Sequence, residues 1–457
     1  MEKLNNFVKL FNILFPFSDF FYILQQEEYS SKRLVKWLPI FFFRRNFQVR
    51  DSLKYTKRVK ITIVFTLFLW LGSLIFPILV GQLAFWVFFL LFWLGGIPFF
   101  VLMSNYLLMP YFENIKARIR RDAIKKVKEN NNMKIIDIAG SYGKTTTKNF
   151  IYQLVRFNYK TQMIPGNINT PGGIASWIND NLERGTELLI AEVDTYERRE
   201  IAKSCEMLSA DIAIITNIGD QHLERFSSQE ELADALFETF LGAKNSAILI
   251  STKDVLNHAD RSVLGHKTVV EVDSPITLTY LQKEIAVPEL SESNKTNLRF
   301  AIKVAEILSI PENFVVDTLT HLELPDRRQE RTKLFGFDGI DDSYNISFST
   351  ALAGIDAAKQ EACKAHKKLL VITAGIPELS LDNKNKNRKL GEILAQNVDM
   401  IVVLESIFAD EIIGGIKSKD KYIKVKDLKS FLDKGIADFD SQEWYLLLQP
   451  ELNDLYY

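Results

Sequence analysis

The chain is predicted to be an α/β protein with a doubly wound central domain, a smaller α/β domain after it and a two-helix hairpin ahead of both. Three observations predict this. The apolar run Ile135-Ile136-Asp137-Ile138-Ala139 leads directly into Gly140-Ser141-Tyr142-Gly143-Lys144-Thr145-Thr146 and then a helix-like stretch, Thr147–Phe157. Strand and helix patterns alternate from there onward. Residues 61–110 contain no Asp, Glu, Lys, Arg or His.

Taken in order, residues Phe7–Phe43 mix aromatics with Lys and Arg, as in Lys36-Trp37-Leu38-Pro39-Ile40-Phe41-Phe42-Phe43. Residues 1–57 therefore read either as helices lying in a lipid headgroup layer or as an amphipathic hairpin packed on the protein. The uncharged run is long enough for two spans of about 20 residues each. They are expected over Val59–Val80 and Leu83–Met109, with Gly81-Gln82 as the connection, within a transmembrane hairpin at 58–110. Basic residues flank it on both sides, including Arg44, Arg45, Arg50, Lys57, Arg58 and Lys60 before it and Lys116, Arg118, Arg120, Arg121, Lys125 and Lys126 after it. The excess of Lys and Arg places both ends in the cytoplasm. The expectation is thus a two-pass cell-membrane protein with cytoplasmic soluble domains, joined by a basic linker at 111–132. The run starts too far from Met1 for a cleaved signal peptide.

The turn at 140–146 is a phosphate cradle. Two glycines let the backbone aim N–H groups at an anion, Lys144 supplies a point charge, and the Thr145 hydroxyl can ligate Mg²⁺. The full P-loop pattern asks for glycine where Ile138 stands, so this is a shortened Gly-x-x-Gly-Lys-Thr form. Buried strands follow at Leu188–Val193, Asp211–Asn217 and Ala247–Ile250, with helices at Ser228–Phe240 and Lys295–Leu308, the latter capped by Ser293 or Asn294. This central unit, expected over 133–322, is doubly wound, and its ligand belongs where the strand ends meet the turn. A second, Rossmann-like unit is expected over 323–457. It has Gly339-Ile340-Asp341-Asp342 at its start, strands at Leu369–Gly375 and Met400–Leu404, a helix at Lys389–Gln396 between them, and a parallel sheet.

Composition sets further bounds. The 457 residues allow two or three domains, and a formal net charge of −1 gives no argument for nucleic acid as a partner. Cys205 and Cys363 are far apart and have no metal-type spacing, so both are expected to be buried free thiols.

Several segments line up with the cradle in a fixed order. They are Gly166-Asn167-Ile168-Asn169-Thr170-Pro171-Gly172-Gly173, then Glu192 at a strand end, then Thr216-Asn217-Ile218-Gly219-Asp220-Gln221-His222-Leu223. Asn297, Arg327 after Leu324-Pro325-Asp326, and Asp341-Asp342-Ser343-Tyr344-Asn345 follow. Over about residues 134–457 this series resembles the Mur ligase family of ATP-dependent amide-forming enzymes. Within it, Asp341–Asn345 together with Ala374-Gly375-Ile376-Pro377-Glu378-Leu379 looks most like the branch that adds D-alanyl-D-alanine to the peptidoglycan stem peptide.

The resemblance implies a chemistry. A carboxylate is phosphorylated by ATP, and an amine attacks the acyl phosphate, forming a peptide bond. It implies Lys144, Glu192 and His222 as catalytic residues. Gly140, Ser141, Gly143, Lys144, Thr145 and Thr146 would hold the phosphates, and Thr145, Glu192 and His222 the Mg²⁺. It further implies Asn297 and Arg327 on the nucleotide or its phosphates, with Asp342, Tyr344 and Asn345 around ribose and base. ATP and Mg²⁺ are the implied cofactors. The implied partners are a cell-wall precursor peptide, an amino acid or dipeptide, the bilayer and membrane-bound wall-synthesis enzymes. His258, His266, His321 and His366 fall in no motif.

Two departures stand out. Where many family members carry a lysine that becomes carbamylated and supports a second Mg²⁺, this chain has Leu236. Either Asp234 or Glu238 substitutes, or that metal is held otherwise, or activity is impaired. The family's usual N-terminal UDP-binding domain also has no counterpart, which admits a lipid-linked acceptor. Alternatives of a ligase for a different acid and of a non-catalytic nucleotide-binding scaffold stay open.

Overall fold

The computed structural model describes residues 17–27, 29–35, 53–80 and 96–450, with Trp86, Phe89 and Trp93. Positions 167, 196–197, 220–225, 227, 273–278, 281–282, 285–289, 326–329, 344–345, 377–382 and 407 are excepted. The chain divides into two compact units, one built on residues 1–118 and one on residues 119–452.

In the first unit, helix α1 (Phe17–Gln26) is followed by α2 (Lys57–Gly72), α3 (Ile75–Val80) and α4 (Ile97–Glu129), which runs on into the second unit. Phe20, Phe21, Tyr22, Ile23 and Leu24 of α1 are buried in one apolar cluster with Leu34, Trp70, Ile97, Phe100 and Val101. Trp70 and Trp93 stack at 4.0 Å, and each indole N–H donates to the other's carbonyl. The described aromatics of α1 therefore take part in an apolar cluster of this unit, and the rest of Phe7–Phe43 outside 17–27 and 29–35 lies outside the described residues.

The expected transmembrane hairpin is corrected. The uncharged run divides at a turn over Ser73–Leu74. Helix α2 has 16 residues, with Lys57, Arg58 and Lys60 in its first turn, and spans about 24 Å where a bilayer core is about 30 Å. Helix α3 has 6 residues. Helix α4 is longer, but past Pro110 it turns strongly charged. Among the described residues no helix is long and apolar enough to cross a membrane. The two-pass membrane placement is corrected with it. Most of the connection and second expected span, 81–95, lies outside the described residues.

The second unit holds two six-stranded sheets. The first comprises β1 (Lys134–Ala139), β2 (Thr161–Met163), β3 (Leu188–Glu192), β4 (Ile212–Ile215), β5 (Ile248–Ser251) and β6 (Thr268–Glu271). All its pairings are parallel, in the order β2-β3-β1-β4-β5-β6. The chain fills one side of β1 and then the other, so the strand order reverses at the end of β1. That is where an open α/β sheet leaves a crevice for ligand.

Alternate strand residues face opposite layers. Ile135, Leu189, Ala213, Ile215 and Leu249 pack with α6 (Pro171–Asn181), α7 (Glu200–Leu208) and α8 (Gln229–Gly242). Ile136, Ile138, Ile190, Ile214 and Ile250 pack with α5 (Lys144–Val155), α11 (Glu292–Ile307) and α12 (Glu312–Thr320). Each fully buried Ile or Leu contributes about 1.5–3 kcal/mol, which makes this two-faced burial the main source of the domain's cohesion. Short helices α9 (Lys253–Asn257) and α10 (Arg261–Leu264) join the first of these layers through Val255 and Val263, and a ribbon of β7 (Thr279–Tyr280) and β8 (Lys283–Glu284) joins the second through Tyr280. Helix α11 begins earlier than its sequence suggests. Ser291, not Ser293 or Asn294, is its N-cap and accepts from the Asn294 N–H.

The second sheet comprises β9 (Glu330–Leu334), β10 (Phe337–Asp341), β11 (Lys368–Thr373), β12 (Met400–Leu404), β13 (Tyr422–Val425) and β14 (Trp444–Gln449), in the order β13-β12-β11-β14-β10-β9. It is mixed rather than wholly parallel. Strand β9 pairs antiparallel with β10 across the tight turn at Phe335-Gly336, both with positive φ. Helices α13 (Phe348–Lys364), α14 (Asn383–Asn397) and α15 (Ala409–Gly415) cover one face through Ile355, Leu394 and Ile412.

Candidate active site

The site grows from the end of β1. Gly140 has φ +135°, and a Cβ there would lie 2.2 Å from Thr216 Oγ1. Gly143 is the N-cap of α5 at φ +78°, and a Cβ there would lie 2.2 Å from Asn297 Oδ1. Both positions need glycine for backbone conformation and for close approach. Asn217 fastens the turn from β4's end: its Oδ1 accepts from Tyr142 N–H at 2.9 Å, and its Nδ2 donates to Tyr142 O at 3.1 Å. Ser141 is buried and its Oγ accepts from Gly219 N–H at 2.9 Å. The turn is thus pre-shaped, and the α5 N-terminus faces the crevice, where its free N–H groups favour an anion.

Four predicted residues meet at one cavity of about 420 Å³: Gly143 and Thr146 from the turn and α5, Asn297 from α11, and Asp342 from the end of β10. Asp342 is buried, with Oδ2 accepting from Gln449 Nε2 at 3.1 Å. The cavity is also lined by Thr252, Asp254 and His258 and by Ser293 and Asn294. His258 stood in no motif. Its distance along the chain from the turn hides it, and no local pattern could have flagged it.

Thr145 and Glu192 meet directly: Thr145 Oγ1 donates to Glu192 Oε2 at 2.7 Å. A hydroxyl beside a carboxylate suits a hard cation such as Mg²⁺. Among the described residues no group of three or more His, Cys, Asp or Glu side chains could hold a metal. This pair is therefore a partial donor set. The predicted third ligand, His222, lies outside the described residues, as do Arg327, Tyr344 and Asn345.

Two charged residues that the sequence did not single out complete the site. Lys148, one turn after Lys144, is fully buried; its Nζ donates to Ile164 O at 2.8 Å and lies 3.5 Å from Glu192 Oε2. Asp194, two residues past Glu192, lies 3.1 Å from Lys144 Nζ. Lys144 also donates to Gly140 O at 2.5 Å and is only 5% exposed. The P-loop lysine is therefore a buried, paired charge. Asn169 ties the two carboxylates together, with Nδ2 3.5 Å from Glu192 Oε1 and 3.3 Å from Asp194 Oδ2. Period-two alternation along a strand places 192 and 194 on one side, which is the signal that could have found Asp194.

Leu236 sits at 1% exposure in the core between α8 and the sheet. Neither suggested substitute is drawn into the site. Asp234 is exposed, and the Glu238 carboxylate accepts the Arg199 and Ala202 N–H groups at the start of α7, each at 2.9 Å. Of the two thiols, Cys205 is buried, whereas Cys363 is exposed, contrary to expectation.

Known proteins resemble parts of this chain. Residues 138–303 match the Mur ligase middle domain. The UDP-N-acetylmuramoyl-tripeptide–D-alanyl-D-alanine ligase of Bacillus subtilis is 24% identical over 318 residues, 65% of this chain and 69% of that protein. The enzyme of the same name from Rickettsia prowazekii is 32% identical over 152 residues, 32% of this chain and 33% of that protein. Among solved structures, MurF from Acinetobacter baumannii superposes with a TM-score of 0.65 at 19% identity, covering 74% of this chain and 77% of that one. MurF ligase from Thermotoga maritima, solved in complex with ADP, gives a TM-score of 0.64 at 22% identity, covering 74% and 80%. Residues 138–303 thus match a Mur ligase middle domain, and the chain shares its fold with these enzymes.

Proposed function

We propose that the chain is an ATP-dependent acid–amine ligase that joins D-alanyl-D-alanine to the tripeptide of a UDP-N-acetylmuramoyl precursor. The observation that carries this is the meeting, at one cavity, of Gly143 and Thr146 at the α5 N-terminus with Asn297 and with Asp342 beside the second sheet, on the same turn and helix that hold the Lys144–Asp194 and Thr145–Glu192 pairs. The names of the matched ligases supply the substrate class. In this reading residues 133–322 bind ATP, and residues 323–457 close over it.

The chemistry follows from what the residues can do. Joining a carboxylate to an amine in water is uphill, so the carboxylate first takes the γ-phosphoryl group. The resulting acyl phosphate is attacked by the amine, releasing phosphate. The transferring group carries dispersed negative charge, and catalysis is mainly positioning and charge stabilisation. The turn's amides and Lys144 hold the phosphates in line. Thr145 and Glu192 would hold Mg²⁺, with His222 as a further ligand. When bound, that ion neutralises phosphate charge. In this reading Asn297 and Arg327 contact the nucleotide or its phosphates, and Asp342, Tyr344 and Asn345 serve the ribose and base.

The test is phosphate release from ATP with Mg²⁺, UDP-muramoyl tripeptide and D-alanyl-D-alanine. Release that requires both acid and amine, with the amide product found by mass, is the expected result. ADP binding without turnover on any acid–amine pair would leave a nucleotide-binding scaffold. Turnover with another acid alone would reassign the substrate.

A further inference from the structure

Two buried carboxylates and two buried ammonium groups surround the phosphate cradle, and they form two unlike pairs. Lys148 faces Glu192 from inside the domain and is fixed to Ile164 O. Lys144 faces Asp194, and both side chains are 6% exposed. Asp194 is held in place from its other sides. Its Oδ1 accepts from the Thr195 N–H at 2.9 Å, its Oδ2 from Asn169 Nδ2 at 3.3 Å, and its own N–H donates to Asn169 O at 3.1 Å. An ammonium has three N–H donors. Gly140 O takes one and Asp194 another.

We propose that Asp194 is a positioning residue that holds Lys144 in reserve, so that its carboxylate and the terminal phosphates of the nucleotide compete for one ammonium. This rests on the ligase reading of the turn. The physical argument is that water screens little of this pair, so the Asp194 charge acts at nearly full strength on whatever anion enters the cradle. While Lys144 is neutralised by Asp194, the α5 N-terminus offers the phosphates only its partial charge. A nucleotide gains the whole ammonium when it draws Lys144 away from Asp194 or shares it. Nucleotide-free chain thereby keeps its buried lysine paired, and the price is weaker ground-state binding of the nucleotide.

Removing the charge while keeping the shape tests this. Asp194→Asn, and Asp194→Ser as a second neutral variant, are made in the full chain. Binding of a non-hydrolysable ATP analogue is titrated by calorimetry, once with excess Mg²⁺ and once with a chelator. Both variants are expected to bind roughly tenfold more tightly than the parent in both conditions, since a like charge beside the ligand has been removed. In turnover, KM for ATP is expected to fall while kcat does not rise, a split that a purely structural role would not produce. Equal or weaker binding by folded neutral variants overturns the proposal and leaves the nucleotide reading standing. A loss of affinity confined to the Mg²⁺ arm overturns it too and makes Asp194 a metal ligand. A parent chain that binds no nucleotide removes both.

Discussion

Asp137 offers the sharpest test of the central sheet. It lies in the middle of β1, opposite Ala191 and Ala213 on the flanking strands, with no exposure. Its Oδ1 has no hydrogen-bond partner, and its Oδ2 is 4.0 Å from Cys205 Sγ. Burial, with a smaller push from the Asp211 charge, raises its carboxyl from 3.8 to about 8. The group is therefore protonated in the folded chain at neutral pH and ionised in the unfolded chain. Between the two pKa values the unfolded state binds fewer protons, so folding stability falls as pH rises. Each pH unit in that window costs about 1.4 kcal/mol, a total on the order of 5 kcal/mol by pH 8. Cys205 adds nothing to this window, because burial first, and Asp137 next, push its thiol well above its ordinary value.

Asp137→Asn removes the titration and nearly keeps the shape. At pH 7 it is expected to be more stable than the parent by about 3 kcal/mol, allowing about 1 kcal/mol for the extra amide N–H. Equilibrium urea unfolding at about pH 5.5 and 7.5 is the assay. The parent should lose about 3 kcal/mol more than the variant across that interval. Equal pH slopes for the two proteins, or a variant less stable at both pH values, would refute the reasoning.

Lys144→Ala is expected to lower ATP-dependent phosphate release by two or more orders of magnitude. It should also cost about 3 kcal/mol of stability in the nucleotide-free chain, because it strands the buried Asp194 carboxylate; unchanged urea unfolding would contradict the pairing. Gly143→Ala places a Cβ 2.2 Å from Asn297 Oδ1 at φ +78°, and the left-handed conformation alone costs about 1–2 kcal/mol, so ADP titration should show at least a tenfold loss of affinity. Leu236→Ala should destabilise the fold by about 2–5 kcal/mol through the cavity it leaves in the core, read by thermal unfolding. A thiol reagent should modify exposed Cys363 in the native protein and reach buried Cys205 only after unfolding; equal rates at both would be inconsistent with this packing.

Much of the fold was legible because its rules are local. Strands of four to six apolar residues alternating with helical spacing specify parallel α/β winding, and the Gly140–Thr145 turn specifies an anion cradle wherever the chain later goes. The meeting of Thr145 with Glu192 followed from the same logic, since Thr145 opens the helix after β1 and Glu192 ends β3, its neighbour in the same sheet. Glu192 pairs through Ile138 in the β1–β3 register. The antiparallel edge strand β9 was not legible, because its pairing depends on a two-residue turn at Phe335-Gly336 rather than on periodicity.

The sequence by itself determined the doubly wound central sheet, the glycine positions of the cradle and the family likeness, because each is written in neighbours a few residues apart. Tertiary structure alone decided the rest. The same uncharged run can feed membrane spans or shorter helices, and its described first part divides at the turn over Ser73–Leu74 into helices of 16 and 6 residues. Leu236 could have stood near a metal, and the α8 face turned it into the core. Lys144 could have been an exposed charge, and Asp194, 50 positions away, buried it as a pair. In each case the outcome depends on which distant surfaces meet. Burial and charge pairing are settled by that meeting, and no local pattern encodes it.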